Sequence, residues 1–305
     1  MSSSRAAVQY FHSEFTAMGS PCEIRLYRSN RDQAASLIQI AKREIARLEQ
    51  KYSRYIPGNE LYRVNQVARA GGVTSVDNEF LALLQYADTC YEQSQGLFDI
   101  TSGVLRQLWD FSKPENVRVP EEETLADVLT KVGWHQVAIK GNQVSFCRAG
   151  MELDLGGIVK EYAADLVANL LFAQGVQSGL VNLGGDIKAI GPHPDGSPWQ
   201  VKIRSPQDKD SRESASAGVD YLTDICIYRE GLATSGDYER CTIIDGKRYS
   251  HLLSPKTGWP VQGLASVTVI APQCVVAGSA ATIALLQGSE GRQWLTELGL
   301  AYYAV

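Results

Sequence analysis

The chain begins with β-forming residues between positions 9 and 27, interrupted at Met18-Gly19-Ser20-Pro21. Glycine and proline in the interruption predict two short strands joined by a turn. After Asn30, a predicted N-cap, apolar residues recur at helical spacing, which predicts an amphipathic helix packed on a core. A loop at Pro57-Gly58-Asn59 ends this helix. The residues that share its apolar face are Ala34, Leu37, Ile38, Ala41, Ile45 and Leu48.

The middle of the chain alternates between helical and extended patterns. Residues 78–92 predict a second helix, and residues 96–111 predict a turn that leads into a further helical segment. Residues 114–123 are rich in proline and charged residues, and they predict an excursion, meaning a loop that leaves the core, and not a linker between domains. Residues 136–155 predict strands with turns at Gly141-Asn142 and Ala149-Gly150. The next predicted buried helix face consists of Ile158, Tyr162, Ala163, Leu166, Val167 and Leu170.

Strands dominate the pattern after Gly179. The predicted strands are 180–183, 187–190, 199–204, 226–230, 238–244 and 266–271, followed by helices at 277–287 and near 292–298. Residues 207–216, dense in charge and serine, predict a mobile loop. Because strands and helices do not alternate regularly, the pattern predicts an α+β fold with mixed, largely antiparallel sheets and flanking helices.

Composition narrows the class of protein. A chain of 305 residues with 44% hydrophobic residues can bury a large core, as one unit spanning 1–305 or as two interlocked subdomains. The net charge of -5 gives no general attraction for nucleic acid or anionic lipid. Six cysteines without a C-x-x-C pair argue against zinc ribbons and redox dithiols.

No stretch has the length and apolar character of a signal peptide or a membrane span. The sequence therefore predicts a cytoplasmic protein that does not insert into a membrane. An exported protein from which the signal peptide has been removed would show the same sequence pattern.

The most informative segment is Asp154-Leu155-Gly156-Gly157-Ile158-Val159-Lys160-Glu161-Tyr162. It takes a strand end through two glycines into a helix, where backbone N–H groups and Lys160 favour an anion. Asp154 is a candidate to accept hydrogen bonds from a flavin or a ribose. Taken alone, the segment is explained equally well as an ordinary helix N-terminus, where the helix dipole stabilises a carboxylate.

A second glycine pair, Gly184-Gly185, follows another apolar strand. Neither pair belongs to a G-x-G-x-x-G or Walker A sequence, so the usual dinucleotide and nucleotide-triphosphate folds lack motif support. Taken alone, Gly184-Gly185 is more typical of a tight turn or a bulge.

Hydroxyl groups and one histidine gather near the C-terminus, in three segments around Thr234-Ser235-Gly236, His251 and Thr282. Loop histidines in such company are candidate general bases. Serine–histidine–carboxylate hydrolysis through Ser235 or Ser250 stays open, although no G-x-S-x-G sequence is present. Further upstream, Phe98 and Tyr55 are candidates for the flat apolar walls that an isoalloxazine or adenine ring requires.

In order and spacing, these segments resemble the FAD:protein FMN transferase family, also called the ApbE family, from about residue 15 to residue 288. Each piece alone is weak, and their order along the chain carries the resemblance. The pieces are Ala17-Met18-Gly19-Ser20, Tyr55 to Leu61, Arg63-Val64-Asn65, Gly96 to Thr101, Leu108 to Phe111, Asp154 to Asp165, Asn182 to Asp186, Thr234-Ser235-Gly236, His251 to Gly258 and Ser266 to Val269.

The resemblance implies that a threonine or serine hydroxyl of an acceptor flavoprotein attacks FAD, becomes linked to FMN and releases AMP. It implies that His251 takes the proton of that hydroxyl, and that Mg²⁺ neutralises phosphate charge. The positions that match the family's FAD-binding residues are Met18, Tyr55, Leu97, Phe98, Asp99, Asp154, Lys160 and Leu253.

The sequence departs from the family at the implied metal site. Thr282 and the carbonyl of Gly157 match metal ligands, but Gly278 stands where the family commonly has an aspartate, and Ser254 replaces another aspartate. Either a substitute such as Asp237 completes the site, or the protein binds FAD without efficient transfer. The alternatives to a transferase are therefore a non-catalytic FAD-binding or flavin-delivery protein, an FAD pyrophosphatase and, least favoured, a scaffold.

Overall fold

The computed structural model describes residues 8–111, 117–206, 221–237 and 241–305. The predicted mobile loop at 207–216, and part of the predicted excursion, lie outside these ranges. The chain divides into two compact units, each built from three separate segments. The first unit contains residues 1–50, 159–234 and 268–278, and the second contains 51–158, 235–267 and 279–305.

The first unit opens with the predicted hairpin. Strands β1 (Gln9–Ala17) and β2 (Ser20–Arg28) pair antiparallel, with Ala17 opposite Ser20. Met18 and Gly19 form the two-residue turn, and both have positive φ, of 51° and 68°. A two-residue turn with two positive φ values is the type whose twist suits a hairpin. Glycine takes this conformation freely, whereas Met18 takes it under strain.

Four further strands, which lie wholly or mostly in the first unit, extend the sheet from β2. They are β6 (Gly179–Leu183), β7 (Asp186–Gly191), β10 (Gly231–Gly236) and β13 (Ser266–Ala271), in the order β1-β2-β6-β7-β10-β13. The pairs β2–β6, β6–β7 and β7–β10 are antiparallel. Separately, β8 (Trp199–Arg204) and β9 (Tyr221–Ile227) form an antiparallel pair. Of the predicted strand at 226–230, only Cys226 and Ile227 lie in a strand, because β9 ends at Ile227 and β10 begins at Gly231.

Helices α1 (Arg31–Tyr52) and α5 (Val159–Ala173) also begin in the first unit, together with α6 (Cys274–Gln287). Asn30 accepts a hydrogen bond from the Gln33 N–H at 3.0 Å, as expected of an N-cap. Every residue on the predicted apolar face of α1 is buried, which confirms that the face packs on the core.

A carboxylate from α5 caps helix α6. The two oxygens of Asp165, which is only 7% exposed, accept hydrogen bonds from the N–H groups of Cys274 and Val275 at 2.8 and 2.9 Å. Burial raises the pKa of Asp165, and the two backbone bonds oppose that shift. Because the first N–H groups of a helix have no partner within it, this side chain joins α5 to the start of α6.

Replacing Asp165 with asparagine should lower the free energy of unfolding by about 1–3 kcal/mol, because the amide turns an N–H₂ donor toward a backbone N–H and leaves it unsatisfied. The comparison is urea denaturation of the wild-type and D165N proteins at pH 7. An unchanged midpoint would show that the cap contributes nothing to stability.

The second unit contains the remaining helices: α2 (Glu60–Ala70), α3 (Asn78–Gln93), α4 (Glu122–Leu129) and α7 (Gly291–Glu297), with a 3-10 helix at Ile100–Gln107. Helices α3 and α7 confirm predictions. Helices α2 and α4 were not predicted. Asn59, read only as part of a loop, is the N-cap of α2 and accepts from the Tyr62 N–H at 2.7 Å.

The strands of the second unit are short. β3 (Val73–Ser75), β4 (Val137–Lys140) and β5 (Gln143–Phe146) form an antiparallel sheet in the order β3-β5-β4. β11 (Cys241–Ile244) and β12 (Lys247–Ser250) form a hairpin. After β14 (Ala301–Ala304), the Val305 N–H donates to the Ser266 carbonyl at 2.9 Å, within the same unit.

Antiparallel pairing and flanking helices confirm the predicted α+β class. Among the described residues, no helix is both long enough and apolar enough to cross a bilayer.

Candidate functional site

Asp154 anchors the glycine-rich turn of the second unit. Its backbone N–H bonds the Ile100 carbonyl at 2.8 Å, and its Oδ1 accepts from the Gly156 N–H at 2.9 Å. Its Oδ2 forms an ion pair with Arg54, which sequence analysis had not singled out. A Cβ at Gly103 would lie only 2.7 Å from the Asp154 Cβ, so Gly103 leaves room for this side chain. The carboxylate therefore fixes both the turn and a cation.

Arg54 also organises Tyr55. The Nη2 group of Arg54 lies 2.7 Å from the Tyr55 hydroxyl, and its guanidinium lies 4.9 Å from the centre of the tyrosine ring. Tyr55 is nevertheless 65% exposed. An exposed ring held by an arginine offers a flat face to a ligand at little cost in side-chain entropy. The signal for Arg54 in the sequence was its position directly before Tyr55.

The structure brings Phe98 next to the same glycine-rich turn. A Cβ at Gly157 would stand 3.6 Å from the Phe98 ring, which is itself only 6% exposed. Leu97, the residue before it, is partly exposed. The Phe98 ring therefore packs against the glycine-rich turn, while part of the apolar Leu97 side chain is exposed.

The Asp99 carboxylate is already occupied by protein donors. Oδ1 accepts from the N–H and the hydroxyl of Thr101 at 2.8 and 2.6 Å, and Oδ2 accepts from the Trp134 N–H at 3.0 Å. These bonds cap the 3-10 helix that begins at Ile100. Any contribution of Asp99 to ligand binding would act through this local geometry.

Lys160 lies in the first turn of α5 within the first unit. Its Nζ donates to Asp186 Oδ2 at 2.6 Å. A Cβ on Gly184 would lie 3.7 Å from the same nitrogen and 2.7 Å from the Ser20 Cβ. Within this unit, Lys160 thus reaches the β6–β7 turn that contains Gly184. Asp186 therefore partly neutralises the charge of Lys160, which the sequence analysis predicts to favour an anion.

Met18 occupies a strained position in the same unit. Its positive φ is uncommon for a residue with a side chain, and its N–H donates to Glu49 Oε1 at 2.8 Å. Strained residues held by their surroundings cluster at binding sites. The role of Met18 in binding stays a prediction.

His251 begins a loop that is held at several points in the second unit. The Val261 N–H bonds the Leu252 carbonyl at 2.9 Å, and the Gly258 N–H bonds the Ser254 carbonyl at 2.7 Å. The Gly258 carbonyl in turn accepts from the Trp109 indole at 2.9 Å. These hydrogen bonds therefore hold the loop that contains His251 in place. Leu253 packs against a buried cluster that consists of Trp109, Phe111, Val117 and Tyr249.

Thr282 and Ser235, both in the second unit, share a hydrogen bond of 2.8 Å between their hydroxyl oxygens. This hydrogen bond joins the segments around Ser235 and Thr282, which the sequence analysis relates only through their hydroxyl groups. Asp237, the suggested substitute ligand, is paired instead with Arg248, and burial raises the pKa of its carboxyl against the effect of that arginine.

Glu161, in the first unit, is 7% exposed, and its Oε2 has no hydrogen-bond partner within the described part of the chain. Burial, reinforced by Asp186 and opposed by Lys160, raises the pKa of Glu161 to about 8. Its side chain lies against Gly278. The described residues contain no group of three or more His, Cys, Asp or Glu suited to a metal ion. A Mg²⁺ ion beside substrate phosphates needs only one or two protein carboxylates, and the unpartnered Glu161 oxygen fits that demand.

The model of the ApbE family matches residues 18–304. This chain belongs to the ApbE family. ApbE-family relatives named FAD:protein FMN transferase include proteins of Vibrio cholerae, 32% identical over 81% of this chain and 72% of that protein, and of Treponema pallidum, 30% identical over 94% and 81%.

Solved ApbE-family structures agree with the fold. An ApbE protein from Thermotoga maritima superposes with a TM-score of 0.85 at 30% identity, covering 97% of this chain and 94% of that one. The flavin transferase ApbE from Vibrio cholerae superposes with a TM-score of 0.84 at 27% identity, covering 98% and 94%. The resemblance identified from the sequence is confirmed.

Proposed function

We propose that this protein is a FAD:protein FMN transferase, and the ApbE-family match across residues 18–304 is the observation that carries the proposal. The substrate is FAD, and the partner is an acceptor flavoprotein with a threonine or serine at the attachment site. Curated relatives that bear this name cover most of the chain. The Asp154 turn and the His251 loop, each held by hydrogen bonds, are consistent with this proposal.

In the proposed reaction, the acceptor hydroxyl oxygen attacks the phosphorus on the FMN side of FAD. The bond from that phosphorus to the bridging oxygen breaks, and AMP leaves with the bridging oxygen. His251 takes the proton of the attacking hydroxyl, so that the alkoxide need not form free in solution. Because this displacement makes no covalent bond to the enzyme, the enzyme contributes mainly through positioning and charge.

FAD is held, in this proposal, by Met18, Tyr55, Leu97, Phe98, Asp99, Asp154, Lys160 and Leu253. Tyr55 and Leu97 supply exposed apolar surface, and Arg54 is an added candidate because it connects Tyr55 to Asp154. Lys160 offers a cation at the start of a helix, where an anion is favoured. Thr282 and the carbonyl of Gly157 would hold Mg²⁺, whose charge would neutralise phosphate oxygens when it is bound.

The test is to mix purified protein, FAD and Mg²⁺ with a threonine-containing acceptor domain, then measure AMP and look for flavin fluorescence on the acceptor in a denaturing gel. The proposal expects a fluorescent acceptor band and a matching amount of AMP. No band and no AMP with an acceptor that a relative can modify would reject it. The matched control is an acceptor whose attachment threonine is valine.

One observation favours a second candidate, a protein that binds FAD without transferring FMN. Gly278 supplies no carboxylate at the implied metal site. Tight FAD binding without an acceptor band would support this candidate, and stoichiometric flavinylation would exclude it. AMP release in the absence of acceptor would identify an FAD pyrophosphatase instead.

A further inference from the structure

We propose that Glu161 supplies the metal-binding carboxylate that position 278 lacks in this chain. The inference rests on the proposed function, since it assigns a ligand to the Mg²⁺ site of that reaction. It identifies a further residue of the site, one that the resemblance to the family did not assign.

The first argument is the space around Gly278. A Cβ added there would lie 2.6 Å from Glu161 Cγ and 2.7 Å from its Oε1. Real Cβ contacts are not this short, so a side chain at 278 and the Glu161 side chain exclude one another in this arrangement. Glu161 therefore fills the volume in which an aspartate at 278 would begin, and it brings a carboxylate oxygen there.

The second argument is the missing partner. Glu161 is 7% exposed, and its Oε2 is buried without a hydrogen bond within the ranges that the structure describes. Leaving a buried polar group unsatisfied costs free energy, and such groups in native proteins call for an explanation. The neighbouring cation, Lys160, donates to Asp186 but makes no hydrogen bond to Glu161 Oε2. A bound divalent ion would satisfy the free oxygen and offset the cost of burying the charge.

The third argument is the position of Glu161 along the chain. It lies in the first turn of α5, and Gly278 lies in α6, within the same unit. The glutamate side chain reaches position 278 from this turn. A carboxylate oxygen is a donor of the kind that hard cations bind.

The experiment is a titration of FAD-loaded protein with Mn²⁺ as a probe for Mg²⁺, with free Mn²⁺ followed by electron paramagnetic resonance. Loss of an outer partner of a metal ligand typically costs about 10–100-fold in affinity, and loss of a ligand should cost at least as much. We therefore expect Glu161→Gln to bind Mn²⁺ more than about tenfold more weakly than the wild type. An unchanged affinity would overturn the assignment.

Asp165→Asn is the matched control. Asp165 lies in the same helix and is equally buried, but both of its oxygens already accept backbone hydrogen bonds. Its replacement should leave Mn²⁺ affinity unchanged under conditions where circular dichroism shows both variants folded. A loss equal to that of Glu161→Gln would mean that disturbing the contact between α5 and α6, and not removing a ligand, weakens metal binding, and would reject the proposal.

A rescue variant separates ligation from packing. Glu161→Ala should lose Mn²⁺ binding, and adding Gly278→Asp to it should restore affinity, because removal of the glutamate side chain opens the room that the aspartate needs. A double variant as weak as Glu161→Ala would contradict the assignment.

The proposed function is judged separately. FAD affinity, measured by fluorescence without metal, and the acceptor band report on the transferase itself. Wild-type protein that flavinylates the acceptor, together with a Glu161→Gln variant that binds Mn²⁺ normally, would reject the ligand and keep the function. Absence of any saturable Mn²⁺ binding to wild-type protein would also reject the ligand.

Discussion

Replacing His251 with alanine is expected to lower the rate of FMN transfer by about 10²–10⁴-fold, the range in which a positioned general base contributes. FAD affinity should change little, because the loop around His251 is held by backbone bonds and by the Trp109 indole, which the substitution leaves in place. The measurement is the initial rate of acceptor labelling at saturating FAD, with FAD affinity taken from fluorescence quenching.

His135→Ala is the control for this variant. His135 is exposed and lies in a short 3-10 helix of the second unit, away from the predicted site residues in sequence. Its replacement should leave the labelling rate within about twofold of the wild type, as is usual for surface substitutions. Transfer by the His251 variant at the wild-type rate would remove His251 from its proposed role as base.

Replacing Asp154 with alanine is expected to weaken FAD binding by about 10–100-fold. Hydrogen bonds that involve a charged group contribute about 1.5–3 kcal/mol, and this carboxylate holds both Arg54 and the Gly156 N–H. Without it, Arg54 loses its ion-pair partner and the glycine-rich turn loses its internal bond. Isothermal titration with FAD, in the absence of acceptor, measures the effect directly.

Asp127→Asn provides the comparison. It breaks an exposed ion pair with Lys131 within one helical turn, and exposed pairs contribute only about 0–1 kcal/mol. FAD affinity should therefore stay at the wild-type value. If Asp154→Ala bound FAD as tightly as Asp127→Asn does, the Asp154 turn would have no part in FAD binding.

Much of the fold follows from local pattern. The apolar face of α1 and its Asn30 cap, the β1–β2 hairpin, and strands β8 and β13 all match the sequence predictions. These elements carry strong periodicity or a clear turn, and each depends on neighbours along the chain. Helix α2 was missed although Asn59 marks its start, because a proline and a glycine just before it read as a loop.

The candidate site, like the fold, has some features that the sequence predicts and others that only the structure shows. Gly156-Gly157 and Lys160 were visible as a candidate anion site, since glycines before a helix are a local signal. Arg54 was not identified, because the sequence shows only that it precedes Tyr55, whereas its ion pair joins it to a residue 100 positions away. Asp99 was assigned to FAD binding only through the resemblance to the family, and the tertiary structure shows that its carboxylate accepts hydrogen bonds from Thr101 and Trp134.

The sequence by itself determined the α+β class, the ApbE-family membership and the absence of a carboxylate at position 278, because pattern, motif order and residue identity are properties of the chain. Only the tertiary structure decided that the Glu161 side chain lies against Gly278, with a buried oxygen that has no hydrogen-bond partner among the described residues. These residues are far apart in sequence, and no local rule places one beside the other. Packing of helices from distant segments creates that contact, and with it the candidate ligand.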